Sequence, residues 1–323
     1  MVVPRGRAAP ALTLLGGFVA AACGAGSSAA PAAGDERRAL APATVVAKIE
    51  TGIGPCLAAP IRGSVWVSNN ASSDVVRVSP ATNRVVGRRI RVGTGPCGLA
   101  FAAGSVWVDG FGTDRVERVN LRTARVTRRI RVGGAPWDIL YVAPHLWVAN
   151  NRDGTVSRVD PVRNRVVRTL RTGGAPANLA FAFGFVWVGS TTGTKVFRID
   201  PQTNRVTAVE AGGEWPSSVE AAAGSLWIAN RTSDTVTRLD PESGRILATV
   251  RVGGNPVWPA VASDGTIFVP NNRDDTVSRI DPETNSVVET FPVGPGPTVI
   301  RPAFGDLWLT HLRGDEVWRI HVG

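Results

Sequence analysis

The chain is poor in several residues that chemistry and long helices usually need. Its 323 residues include one methionine, one tyrosine, three cysteines, three histidines and only two lysines, Lys48 and Lys195. The scarcity of methionine and tyrosine, beside 36 glycines and 23 prolines, fits short strands joined by tight turns, and no amphipathic helical stretch stands out. After the first 23 residues no apolar run is long enough to cross a bilayer. No Gly-x-Ser-x-Gly, His-Glu-x-x-His, phosphate-loop or EF-hand pattern occurs; "NNRDGT" lacks the alternating ligands and terminal Glu of a Ca2+ loop. No cluster of basic residues interleaved with aromatics appears, so nucleic acid is not an expected partner.

What is present is an ordinary globular share of apolar residues, 43%, and a net charge of +10. Arg5 and Arg7 precede an apolar run that ends in small residues, the layout of a signal peptide over residues 1–22. The ending "VAAAC" resembles a bacterial lipobox, with Ala20 where leucine is more usual, and implies lipidation of Cys23; ordinary cleavage after an Ala-x-Ala pattern is the alternative. Residues 23–42, rich in Gly, Ala, Ser and Pro, read as a flexible tether. The expected location is outside the cytoplasm, held to the membrane by lipid or secreted. Without Arg5 and Arg7 the charge is +8, which favours anionic lipid or cell-wall polymer.

A repeat settles the architecture. Pro55, Pro96, Pro136, Pro176, Pro216, Pro256 and Pro297 recur at steps of 40 or 41, each followed by an aromatic: Trp66, Trp107, Trp147, Trp187, Trp227, Phe268 and Trp308. The unit Ala135 to Gly174 parses into four strands, "DILYVA", "HLWVAN", "TVSRVD" and "RVVRTLRT", with "DPVRN" as the turn before the fourth. Seven such units over residues 43–323 predict an all-β, seven-bladed propeller of four-stranded antiparallel blades. The seventh unit lacks a fourth strand, and "ATVVAKIETG" (residues 43–52) has its pattern, so the amino-terminal strand is expected to complete the last blade and close the ring.

The segments "LWVANN", "VSRVDP" and "VGGAP" resemble the YVTN family of propeller repeats, with Trp in place of Tyr, and the likeness runs from residue 44 to 323. It implies the fold and an extracytoplasmic place, and it carries no assigned chemistry. Streptogramin B lyases are similar propellers, and that resemblance implies a Mg2+-dependent His/Glu site.

Repetition also separates scaffold from site. Arg77, Arg118, Arg158, Arg198, Arg238, Arg279 and Arg319 share one third-strand position, so they are expected to bridge blades, with Asp160, Asp200, Asp240 and Asp281 as partners. Function is expected where the repeat breaks, at the channel mouth. The candidates there are Trp137, Asp138, Asn178, Glu220, Trp258, Arg301 and His311, the last replacing the Asn of "VAN". Cys56 and Cys97 follow proline in adjacent units, which suggests a disulfide between two blades, with two free thiols as the alternative. His145, His311 and His321 are not expected to converge, which argues against a two-histidine metal site. The expected role is a binding module, acting as a monomer, for a small molecule, cell-wall polymer or envelope protein, with no cofactor. The alternative is a lyase or lactone-acting enzyme using His311, Glu220 or Glu316 and Mg2+ or Ca2+.

Overall fold

The computed structural model describes residues 41–322, so the signal-like segment, Cys23 and the tether up to residue 40 lie outside the described residues. Among the described residues, twenty-eight strands form seven four-stranded antiparallel sheets, and six of these take four consecutive strands each. The seventh takes Pro297–Ala303, Asp306–His311 and Glu316–His321 together with Thr44–Glu50 from the other end of the chain. The protein is a seven-bladed β-propeller closed by its amino-terminal strand. Blade 3 shows the common plan: Pro136–Val142 innermost, then His145–Asn150, Thr155–Asp160 and Arg165–Arg171 outermost.

Local sequence explains these strands. The second strands carry consecutive apolar residues and are buried on both faces, as in "VWV", while the outermost strands are mostly exposed. The repeated tryptophans Trp66, Trp107, Trp147, Trp187, Trp227 and Trp308 are almost wholly enclosed, each wedged between its own blade and a neighbour. The turn before each fourth strand ends in the left-handed region: Asn83, Asn164, Asn204 and Asn285 have φ between 53 and 62°, and Gly244 has 72°. Asparagine and glycine are the residues that tolerate this conformation best, which explains the recurrent "TN" and "SG".

The aspartates of those turns do not pair with the repeated arginines, contrary to the expectation. Asp160 accepts hydrogen bonds from the backbone N–H of Val162 (2.8 Å) and Arg163 (2.9 Å), and Asp200, Asp240 and Asp281 cap their own turns in the same way. A carboxylate two residues before a free N–H finds it at no entropic cost, so the local bond wins. The arginines instead lie over the aromatic ring of their own blade, and those of blades 2 to 5 and 7 reach into the next. Arg158 donates to the Pro201 carbonyl (3.1 Å) and Asn204 Oδ1 (2.9 Å), and Arg238 to Pro282 (2.8 Å) and Asn285 (3.0 Å).

At the closure the same latch is improvised. Blade 7 has no turn of this kind for Arg279 of blade 6, and the guanidinium donates instead to the carbonyl of Ala41, 3.0 Å away. Ala41, read from sequence as the end of a flexible tether, thus stands in for a turn proline. Lys48 of the closing strand sits 4.0 Å over the Trp318 ring, a cation–π contact that helps hold that strand to blade 7.

Candidate functional site

The first strands surround the axis, and a side-chain ring near it stitches the blades. Thr310 Oγ1 donates to the Cys56 carbonyl (2.8 Å), and Ser68 Oγ to that of Cys97 (2.6 Å). Asp138 accepts from the N–H of Leu179 (2.9 Å), and Asn178 Oδ1 from that of Val219 (3.0 Å). Between blades 2 and 3 the approach is so close that a Cβ on Gly98 would lie 2.6 Å from the Ile139 nitrogen, so only glycine fits. Cys56 and Cys97, with Cα atoms 5.1 Å apart, are joined as a disulfide across blades 1 and 2.

Two cavities share the channel. The outer one, about 290 Å³, opens at the mouth formed by the loops between second and third strands and the starts of the first strands. The deeper one, about 170 Å³, is lined by Asp138, Leu140, Leu179 and Arg301 among others. Trp258 lines both cavities.

The seven sequence candidates therefore divide. Trp137 and Trp258 line the mouth cavity. Asp138 and Asn178 are buried and engaged with neighbouring backbone, so their polarity is spent on the scaffold. Burial pushes the Asp138 carboxyl up, against the opposing pull of its N–H donors and of Arg301. Glu220 faces Arg301 across the channel at 3.7 Å, and burial raises its carboxyl too, with Arg301 opposing. His311 is not at the mouth at all.

His311 occupies an asparagine position within its blade. In blades 3, 5 and 6 the Asn side chain donates to two hydroxyls of the third strand, as Asn150 does to Thr155 (3.0 Å) and Ser157 (2.9 Å) and Asn230 to Thr235 and Thr237. Blade 7 has Glu316 and Trp318 at those two places. His311 Nδ1 meets the Glu316 carbonyl at 3.2 Å, and its ring packs 4.9 Å from Trp318. Burial depresses its pKa to about 4, so it is neutral at ordinary pH. His145 contacts Arg158 and His321 contacts Asp306, each in its own blade, and the three rings do not meet. Among the described residues no three His, Cys, Asp or Glu side chains are grouped so as to hold a metal ion.

The mouth contains residues that the sequence reading missed. One position beyond the "VAN" asparagine, the chain carries Asn70, Phe111, Asn151, Thr191, Arg231, Asn272 and Leu312. Asn70, Asn151 and Asn272 each donate to a proline carbonyl in the next blade, Pro96 (3.4 Å), Pro176 (3.1 Å) and Pro297 (3.0 Å). Phe111, Thr191, Arg231 and Leu312 do not follow that rule, and Phe111 and Arg231 depart furthest from it. Phe111 stands edge-on to Trp137, with ring centroids 5.4 Å apart and planes at 82°. Arg231 donates its Nε to Asn255 Oδ1 at 2.8 Å. Aligning the seven repeats one residue further along would have exposed both.

No profile of a known protein family matches the chain, and no curated protein matches it in sequence. Solved structures match it in shape. A virginiamycin B lyase from Staphylococcus aureus has a TM-score of 0.75 at 12% identity, covering 87% of this chain and 99% of that one. A streptogramin B lyase gives 0.76 at 13%, covering 87% and 98%, and a hydrazine synthase of Kuenenia stuttgartiensis 0.71 at 16%, covering 85% and 96%. At such identities the likeness speaks to fold alone, and that fold is the seven-bladed β-propeller.

Proposed function

We propose that this chain is an exported, lipid-anchored propeller of the YVTN-repeat type whose channel mouth binds a small molecule, a cell-wall polymer or an envelope protein without transforming it. The observation that carries the reading is the mouth cavity itself. Its wall includes Phe111, Trp137 and Trp258, with a few polar groups set among them. A concave, mainly apolar wall with sparse polar groups is the usual build of a ligand site, and about 300 Å³ is the small end of that class. Export and anchoring rest on residues 1–23 of the sequence.

The test is a thermal-stabilisation screen over cell-wall fragments, divalent metals and small lactones, run on the wild type and on Trp137→Ala. A compound that raises the melting temperature of the wild type but not of the variant supports the reading. A screen in which every stabilising compound acts equally on both defeats it. Anchoring is tested separately: Cys23→Ser should move the protein from the membrane fraction to the soluble one.

The second reading, a divalent-metal-dependent lyase, draws on the fold likeness to the two lyases. The residues nominated for it do not fit a metal. His311 is enclosed by Trp318, Glu220 faces Arg301 in the channel, and the described residues offer no three-ligand group. Ring opening of a streptogramin B by the purified protein, lost in Trp137→Ala, would replace the binding reading with this one.

A further inference from the structure

Resting on the mouth as a binding site, we infer that its ligand is an aromatic carboxylate, held by the Arg231 guanidinium against the Phe111 and Trp137 rings. Among the described residues that wall the cavity, Arg231 is the one charged group, and no carboxylate stands among them. A lone positive charge in a largely apolar cup selects for a single negative charge on the occupant, because an unpaired buried ion is costly and a paired one is strongly held.

The geometry of Arg231 supports this. At the equivalent position three asparagines spend their donors on proline carbonyls of the next blade. Arg231 uses only Nε in that way, on Asn255 Oδ1, which fixes the orientation of the guanidinium plane. Its other N–H groups have no partner among the described residues, and no salt bridge engages it there. Burial lowers its affinity for its proton with no acidic neighbour to compensate, the environment of a cation awaiting a counter-charge. The free Nη edge of an arginine matches a carboxylate with two parallel hydrogen bonds. The aromatic half of the ligand follows from the edge-on Phe111–Trp137 pair, both of whose residues line the same cavity.

The experiment measures binding of naphthalene-2-carboxylate and of its neutral counterpart naphthalene-2-carboxamide to wild type, Arg231→Gln, Arg231→Lys and Trp137→Ala. The wild type is expected to prefer the acid by tenfold or more. Arg231→Gln should erase that preference while still binding the amide, and Arg231→Lys should keep part of it. Unchanged melting curves for the two Arg231 variants exclude unfolding as the cause. Equal affinity of the wild type for acid and amide, or a preference that survives Arg231→Gln, overturns the carboxylate assignment while leaving the mouth a binding site. Binding of both probes that is indifferent to Trp137→Ala, or no binding of either, overturns the aromatic carboxylate too, and the broader compound screen then decides whether the mouth binds anything.

Discussion

At the outer seams, third-strand arginines repeat one contact: Arg158, Arg238 and Arg319 each reach a proline carbonyl and an asparagine side chain one blade on, and Arg118 and Arg198 each make one of the two bonds. At the mouth, the position after the second-strand asparagine keeps a bond to the next blade's proline carbonyl in three blades, at Asn70, Asn151 and Asn272, and varies in the other four, where Phe111 and Arg231 are the largest departures. Both regions derive from one repeat. The seams kept the arginine and the aromatic ring beneath it in every blade, where neighbouring blades must be sealed. The mouth gave up some of those contacts in exchange for an aromatic wall and a charge, and a scaffold does not need either. Substitutions at the seams should therefore act on stability and those at the mouth on binding.

The ring closure is the seam with most at stake. Deleting residues 41–50 would strip the third strand of blade 7 of its partner, expose the edge of Glu316–His321 and remove the Ala41 acceptor of Arg279. The expected result is loss of at least about 5 kcal/mol, comparable to the whole stability of an ordinary domain. Circular dichroism should show no cooperative melting above room temperature. A truncated protein that melted like the full chain would mean that the strand merely covers the ring.

Next come the seams among themselves. Arg279 is fully enclosed and faces Asp264 and Glu289, whereas Arg238 is half-buried and makes hydrogen bonds within its blade and to the next, with no ion pair among the described residues. Arg279→Ala leaves a largely buried carboxylate without its counter-ion, for which about 3–5 kcal/mol is expected. Arg238→Ala should cost about 1–2 kcal/mol. Urea titration of the two variants measures both, and equal costs would show that the ion pair around Arg279 adds nothing to the shared latch.

Blade 7 supplies a third contrast, visible in pH. His311 has a folded-state pKa of about 4, below its ordinary 6.5. As pH falls through 6.5 the unfolded chain takes up a proton that the folded chain refuses, so stability drains away until about pH 4 and is then level. The loss should approach about 3 kcal/mol relative to a variant lacking the group. The buried Asp109 and Asp138, whose pKa values are raised, act the other way, because the folded state takes up their protons first as pH falls. They are present in His311→Asn as well, so the difference in pH slope between the two proteins isolates the histidine. Parallel slopes would mean that His311 is already accessible to protons in the fold.

How far the chain could be read without its structure follows from the same contrast. The spacing of the prolines and tryptophans disclosed the blades because packing between sheets demands the same bulk at the same place seven times. The closing strand was legible because its pattern matched the strand that blade 7 lacks. Burial of individual departures was not legible. Asp138 and His311 break the repeat as visibly as Phe111 does, yet Asp138 is consumed by Leu179 and Asn178, and His311 by the accompanying change to Trp318. A repeat shows where a residue is unusual; whether the change is compensated by a neighbour depends on contacts between strands and blades that a linear alignment does not contain.

The smallest expected effect on stability is the sharpest test of the comparison. Phe111 is 38% exposed, and its main packing partner at the mouth is Trp137. Phe111→Ala removes one edge contact, worth about 0.5–1.5 kcal/mol at most for an aromatic pair and less where water already reaches the ring. The melting temperature should barely move, in contrast to Arg279→Ala. Affinity for naphthalene-2-carboxylate should fall tenfold or more, since the probe loses the ring that completes the wall. If instead the variant melts as far below the wild type as Arg238→Ala does while binding the probe unchanged, then Phe111 is one more seam residue, and the breaks in the repeat at the mouth would be substitutions that the scaffold absorbed.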